Sequence, residues 1–220
     1  MKHKYNLNNL FAFLEKEEIP LSVDQKKKLE YYHDELVKYG QYHRIISHSD
    51  IGSIVERHFL SSFYFIMKIK GNLSKKDQVI DLGTGAGFPG LLLSIYFNKN
   101  RIILLDSVRK KTLFVGRIVK NLNLNALVIN ERIEAFSKQN NDVFRIVTAR
   151  ALANMDQLLT LAGSFLNGGA ELHTMKGKDY LSELKSGHNG INILADEIKN
   201  SWKNETYYLN TKMYIKARLV

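Results

Sequence analysis

The sequence predicts an α/β fold. It reads as a mainly parallel, seven-stranded sheet covered by helices on both faces, with an antiparallel C-terminal edge and an N-terminal helical extension. Three observations carry this reading. Beyond residue 77, short apolar runs alternate with helical patterns, as parallel strands joined by crossover helices require. Glycines crowd the end of the first such run, "VIDLGTGAGFPGLLLSIYF", Val79 to Phe97. Residues 6–70, by contrast, show helical periodicity and no strand-like alternation. The turn-rich "GNLSKKD", Gly71 to Asp77, separates the two textures, so the extension is placed at 1–76 and the sheet domain at 77–220.

In the extension, "NNLFAFLEKE" opens a helix with Asn9 as its expected N-cap. "VDQKKKLEYYHDELVKYG" sets Leu29, Tyr32, Leu36 and Tyr39 at helical spacing before a glycine stop. "IGSIVERHFLSSFYFIMKI" reads as a third helix burying Ile54, Phe59, Phe63 and Ile66. The strands of the sheet are "QVIDLG", "RIILLD", "ALVIN", "FRIVTARAL" and "AELHTMKG". Helices through "PGLLLSIYF", "VRKKTLFVGRIVKNLN", a short piece after Asn130, and "MDQLLTLAGSFL" connect them. A closing pair, "TYYLN" and "KMYIKARLV", has no helix between its members and predicts the antiparallel edge.

Composition narrows the chemistry. The chain has 220 residues, 45% of them apolar and 25% charged, which is ordinary for a globular protein. It has no cysteine, so disulfides, thiolate metal sites and cysteine nucleophiles are excluded. The seven histidines show no ligand spacing, and no metal is expected. The first apolar run stops at Glu15, too short for a signal segment, and the expectation is a soluble, cytoplasmic monomer. The net charge of +10 is spread along the chain. It suits encounter with a polyanion, and equally suits simple solubility.

The glycine turn is the most informative stretch. No Gly-Lys-Ser/Thr follows it, which excludes a phosphate-gripping P-loop. The string Gly85-Ala86-Gly87-Phe88-Pro89-Gly90 satisfies G-x-G-x-x-G, yet Gly85 comes four residues after Asp81, too late to close the strand as that fingerprint requires. Asp81 would repel a pyrophosphate, and Pro89 removes an amide where one would bind. A ligand carrying an ammonium and a sulfonium welcomes the same acid. D-x-G-x-G-x-G after the first strand therefore favours S-adenosylmethionine, with Asp81, Gly83 and Gly85 around it. The second strand ends in Asp106, 25 residues after Asp81, where a carboxylate can accept from both ribose hydroxyls. Its plainer role would be to cap the next helix, a need that Ser107 meets equally well. Glu134, in "NERIEAF" after the third strand, falls where the adenine end should lie.

The loop after the fourth strand, "IVTARALAN", limits the methyl acceptor. It has no Asn/Asp-Pro-Pro-aromatic turn for amino-group methylation, and no cysteine exists to attack a pyrimidine. What remains is an acceptor that is already nucleophilic and needs orientation, such as guanine N7. Arg150 would orient a phosphate, the base or the cofactor, or else close a salt bridge at the strand end.

"VIDLGTGAGFPGLLLSI", "ILLDSVRKKTLFVGRIVKNLNL", "RIEAF", "VTARAL" and "MKG" resemble, in that order, the RsmG (GidB) family. These are bacterial methyltransferases that modify guanine N7 in 16S ribosomal RNA. The upstream "LVKYGQYHRIISHSDIGSIVERHFLSSF", with Arg57-His58, is similar too, so the resemblance runs from about Leu29 to Gly177. It implies a class I (Rossmann-like) methyltransferase, S-adenosylmethionine as cofactor, and 16S ribosomal RNA or the small subunit as partner. It adds Phe88, Ile133 and a firmer role for Arg150 to the cofactor contacts. The chain departs from the family at Arg44-Ile45-Ile46, usually Asn-Leu-Thr, and at Ser61, commonly Asp.

For RNA, the helix after Asp106 offers Arg109, Lys110 and Lys111, with Arg117 and Lys120 further on; Arg150 and Lys176 are further candidates. Tyr31, Tyr32, Tyr39 and Tyr42 could stack on bases or pack in the core. Two alternatives to the RNA methyltransferase stand beside it. One is an S-adenosylmethionine-dependent enzyme acting on a small molecule. The other is a catalytically weakened RNA-binding paralogue, which Arg44 and Ser61 motivate.

Overall fold

The computed structural model describes residues 6–43, 45–185, 188 and 190–220; Arg44 and the side chain of Tyr42 lie outside the described residues. Seven strands form one sheet in the order β3-β2-β1-β4-β5-β7-β6. They are β1 Gln78–Leu82, β2 Arg101–Leu105, β3 Ala126–Ile129, β4 Ile146–Arg150, β5 Glu171–Gly177, β6 Ile191–Glu197 and β7 Lys212–Leu219. The first five are parallel, and β7 runs antiparallel between β5 and β6. The predicted α/β architecture, with its antiparallel C-terminal edge, is the one observed.

Strand alternation divides the core in two. Val79, Ile102, Leu104 and Ile146 face one cluster, whereas Ile80, Leu82, Ile103 and Val147 face the other. The second face is covered by α7 (Ile133–Gln139) and α8 (Met155–Asn167). The first is covered by α5 (Gly90–Tyr96), α6 (Arg109–Asn121) and the helices of the extension. These are α1 (Leu7–Lys16), α2 (Val23–His43), α3 (His48–Ile51) and α4 (Leu60–Ile69). Leu10, Leu29, Tyr32 and Phe59 thus share a cluster with Val79, Leu91 and Phe114.

The structure corrects several local expectations. The cap of α1 is Asn6, whose side chain accepts from the Asn9 amide; Asn9 is the third helical residue. A reciprocal capping box starts α2, with the Gln25 amide donating to Ser22 Oγ and the Ser22 amide to Gln25 Oε1. The helix does not stop at Gly40. That residue keeps helical backbone, and a Cβ there would come within 3.2 Å of Ile46, so the glycine serves close packing. The expected third helix is present from Ile54 to Ile69, with a π-helical turn at Val55–Phe59 leading into α4, and α3 is a separate turn before it. Ile54, Phe59, Phe63 and Ile66 are buried as expected.

The C-terminal pair differs from expectation at one member. "TYYLN" is a helical turn, α10 (Tyr207–Asn210), because Thr206 Oγ1 accepts from the Tyr208 amide and Leu209 is drawn into the core. The edge strand is instead β6, where Ile191, Ile193 and Ala195 alternate towards the second cluster. Just before α10, α9 (Asn200–Glu205) buries Trp202 edge-on against Phe13 and Tyr64, with its indole N–H donating to Glu17. No helix among the described residues is long and apolar enough to cross a membrane.

This indole joins the C-terminal helices to the extension. Trp202→Ala should cost about 3–5 kcal/mol in urea unfolding. Trp202→Phe, which mainly loses the Glu17 bond, should cost nearer 1 kcal/mol. Equal, small losses in both variants would show that this contact does not hold the two ends together.

Candidate active site

The glycine turn leaves β1 through Gly83 at φ +67°. A Cβ at Gly83 would meet Leu152 Cδ1 at 2.5 Å, so both backbone angle and space demand glycine. Gly90, at the start of α5, sits so tightly that a Cβ would lie 2.6 Å from Asp81 Oδ2. That approach lets the Gly90 amide donate to the same oxygen at 3.0 Å. Thr148 Oγ1, on the neighbouring β4, donates to Asp81 Oδ1 at 2.8 Å. Burial pushes the Asp81 carboxyl up to about 6, against the pull of these hydrogen bonds and of Arg150. The residue is fully buried, and its oxygens face the fold rather than the cleft wall.

Asp106 follows β2 and is differently placed. Its Oδ2 accepts from the Gly85 amide at 2.8 Å and its Oδ1 from the Val108 amide at 2.8 Å. The carboxylate therefore ties the glycine turn to the start of α6, and it does so in place of Ser107. Two of its four lone-pair positions are used, leaving two for hydroxyl donors. It lines a cleft of about 370 Å³ together with Gly83, Lys111, Ile133, Glu134 and Leu152. Ile133 is buried and Glu134 exposed in the first turn of α7. Ala151, on the same wall, holds φ +54°, a strained angle for a residue with a side chain.

Phe88 and Arg150 are not on that wall. They form a second layer, between the glycine turn and the extension. Phe88 is buried against Tyr32, His58 and Phe59, with the Arg150 guanidinium 5.4 Å from its ring centroid. Arg150 Nη1 donates to the Arg57 carbonyl and to Ser61 Oγ, each at 3.0 Å. Its Nη2 donates to His58 Nδ1 at 2.5 Å. Burial, then Arg150 and Arg57, lower the His58 imidazole to about 3. Tyr32 hydroxyl donates to the Ala86 carbonyl of the glycine turn at 2.8 Å. Sequence reasoning missed Tyr32 and His58 as parts of the site; the helical spacing of Tyr32 and the shared Arg57-His58 pair were the available signals.

The basic candidates separate into free and engaged groups. Arg109 and Lys110 are exposed at the start of α6, and Lys111 reaches the cleft. Arg117 pairs with Glu35 at 2.6 Å and stacks 3.5 Å over Tyr39, binding α6 to α2. Lys176 is nearly buried and donates to the Ala153 carbonyl and to Glu183, whose Oε2 also accepts from the Met155 amide at 2.6 Å. It braces the 151–154 loop of the cleft. Tyr32 is core, and Tyr31 bonds to Asn121.

A sheet of this strand order, with a glycine turn after β1 and acids after β2 and β3, defines a Rossmann-like methyltransferase fold. The chain belongs to the GidB family, described as rRNA small subunit methyltransferase G, whose model matches residues 25–205. It is 34% identical over 176 residues to the ribosomal RNA small subunit methyltransferase G of Thermotoga petrophila, covering 80% of this chain and 74% of that one. Solved structures share the fold at low identity. An rRNA methylase from Streptococcus thermophilus superposes with a TM-score of 0.51 at 13% identity, covering 73% and 95% of the two chains. The plantazolicin methyltransferase BpumL does so with 0.58 at 11%, covering 89% and 99%.

Asp81 gives a signed pH test. Its folded value, about 6, lies above the ordinary 3.8, so its contribution to stability is present below about 3.8 and is lost as pH rises through 6. The stability of the wild type relative to Asp81→Asn should fall by roughly 2 kcal/mol between pH 4 and pH 7.5. Urea unfolding of both proteins across that range measures it, and parallel profiles would contradict the burial argument.

Proposed function

We propose that this chain transfers a methyl group from S-adenosylmethionine to N7 of a guanine in 16S ribosomal RNA. The observation that carries the donor assignment is the Asp106 carboxylate, clamped by two backbone amides while keeping lone pairs for two hydroxyls at the cleft. The residues present fit the donor. Gly85, at φ +60°, has only the Gly83 carbonyl near its Cβ position, at 3.8 Å, so a ligand can approach the backbone of the turn there. Membership of the GidB family supports ribosomal RNA as the acceptor.

The donor supplies an electrophilic methyl on a sulfonium; the chain supplies position. Gly83 and Gly85 keep the backbone close, Asp106 orients the ribose, and Glu134 receives the adenine edge. Ile133 and Leu152 flank the purine. Asp81 acts from behind the turn, holding Gly90 and β4 in register. Phe88 and Arg150 serve the far end of the donor. Guanine N7 carries a free lone pair, so the acceptor needs orientation and no proton must be removed first.

In this reading Arg109, Lys110 and Lys111 meet RNA phosphates, while Lys176 acts through the loop it braces. The helices of 1–76 wall the site, and 77–220 form the methyltransferase domain. On the same reading the protein works as a monomer in the cytoplasm, where ribosomal RNA resides.

Mass-spectrometric mapping of 7-methylguanosine in 16S RNA, with and without the gene, tests the acceptor. Loss of one modified guanine is expected, and an unchanged pattern would sink the assignment. Asp106→Ala tests the donor separately. Removing a charged acceptor should weaken S-adenosylhomocysteine at least about tenfold by calorimetry, and unchanged binding would refute the ribose role.

A further inference from the structure

The proposed function leaves the π-helical turn Val55–Phe59 without a role, and this turn supplies Arg150 with its partners. Single π turns inside helices are rare and concentrate at functional sites. Here the wider turn presents the Arg57 carbonyl and the His58 ring to one guanidinium. A guanidinium only donates, so His58 Nδ1 must accept and its proton must sit on Nε2. That Nε2 lies 3.4 Å from Asp50 Oδ2, and Asp50 Oδ1 pairs with Arg57. The His58 ring also stacks on Phe88, centroids 5.1 Å apart and planes 21° apart, which fixes its orientation.

The guanidinium so held is unusual in its company. Its three acceptors are neutral: a carbonyl, a hydroxyl and an imidazole. Its Nε is buried without a hydrogen-bond partner. Among the described residues no carboxylate forms an ion pair with it; Asp81 acts on it only across a longer distance. Arg150 follows directly on the Leu82–Ala149 register pair, beside Gly83. With adenosine at Asp106 and Glu134, the amino-acid tail of the donor runs towards that point.

We infer that His58, its tautomer set by the guanidinium from which it accepts, is a positioning residue that holds the Arg150 guanidinium over Phe88 to receive the carboxylate of the donor's amino-acid tail. The inference rests on the donor reading and deepens it. A neutral imidazole suits this role, because as a cation it would repel the guanidinium it orients.

Two ligands separate positioning from general damage. S-adenosylhomocysteine carries the tail carboxylate; 5′-methylthioadenosine keeps the adenosine and thioether but lacks the tail. Calorimetry on the full chain should show His58→Leu weakening S-adenosylhomocysteine about tenfold or more, with 5′-methylthioadenosine unchanged within about twofold. His58→Gln, which keeps an acceptor and a donor on one side chain, should restore S-adenosylhomocysteine to within about threefold of wild type. Equal weakening of both ligands would make the role merely structural and overturn the inference. So would unchanged S-adenosylhomocysteine binding in His58→Leu, as expected if Arg150 served an RNA phosphate, or a glutamine variant as impaired as leucine. A wild-type protein that binds neither ligand would overturn the donor reading itself, and this inference with it.

Discussion

A buried carboxylate on the central strand holds the site in shape. Asp81 accepts from Thr148 on one neighbour and from the first amide of α5 on the other. Those two bonds set the spacing of β1, β4 and α5, and therefore the path of the glycine turn between them. A carboxylate in this position is unfavourable in itself, because burial disfavours its charge. It persists because breaking either bond would leave an unpaired acceptor deep in the sheet, which costs more than leaving it satisfied. Glycine at position 90 follows from the same constraint, since any side chain there would occupy the place of the Asp81 oxygen.

The extension is wired into this arrangement at three heights. Gln25 Nε2 donates to the Ile95 and Tyr96 carbonyls, closing the C-terminal end of α5. Tyr32 holds the Ala86 carbonyl in the middle of the glycine turn. The π turn holds Arg150 at the end of β4. Each bond contributes on the order of 1 kcal/mol, but each fixes a different part of the site. Because the hydrophobic cluster is continuous across the boundary, these polar contacts sit on packed rather than mobile elements.

Local patterning made the sheet legible, and contacts between distant residues made the site only partly so. The apolar runs from "QVIDLG" to "AELHTMKG" read correctly because strand and helix periods differ throughout. "TYYLN" misled because aromatic and β-branched residues suit strands, while the deciding event was a threonine cap and the burial of Leu209. The π turn leaves a slight periodic trace, the five-residue step between buried Ile54 and Phe59, where an α-helix steps by three or four. Asp106, Gly83 and Glu134 come together at the cleft as the spacing suggested, and Ile133, which only the family resemblance added, joins them. Asp81 is turned inward, and Arg150 lies off the cleft wall, against the π turn. Those differences depend on Thr148, which meets Asp81 across 67 residues of chain, and on His58, which meets Arg150 across 92.

The net charge of +10 already counts every acid, so ion pairs do not lower it; they decide where the charge sits. Arg117 is engaged by Glu35 and Tyr39, and Lys176 by Glu183 and the Ala153 carbonyl. Lys68 pairs with Asp196, and Lys203 with Glu197. Among the described residues, Arg109, Lys110 and Lys111 enter no such pair; they are consecutive at the start of α6, and Lys111 lines the cleft with Asp106. A field from three adjacent cations beside the site guides a phosphate chain more selectively than the same charge spread over the surface. The fold thus commits Arg117 and Lys176 to packing and keeps Lys111 at the ligand cleft.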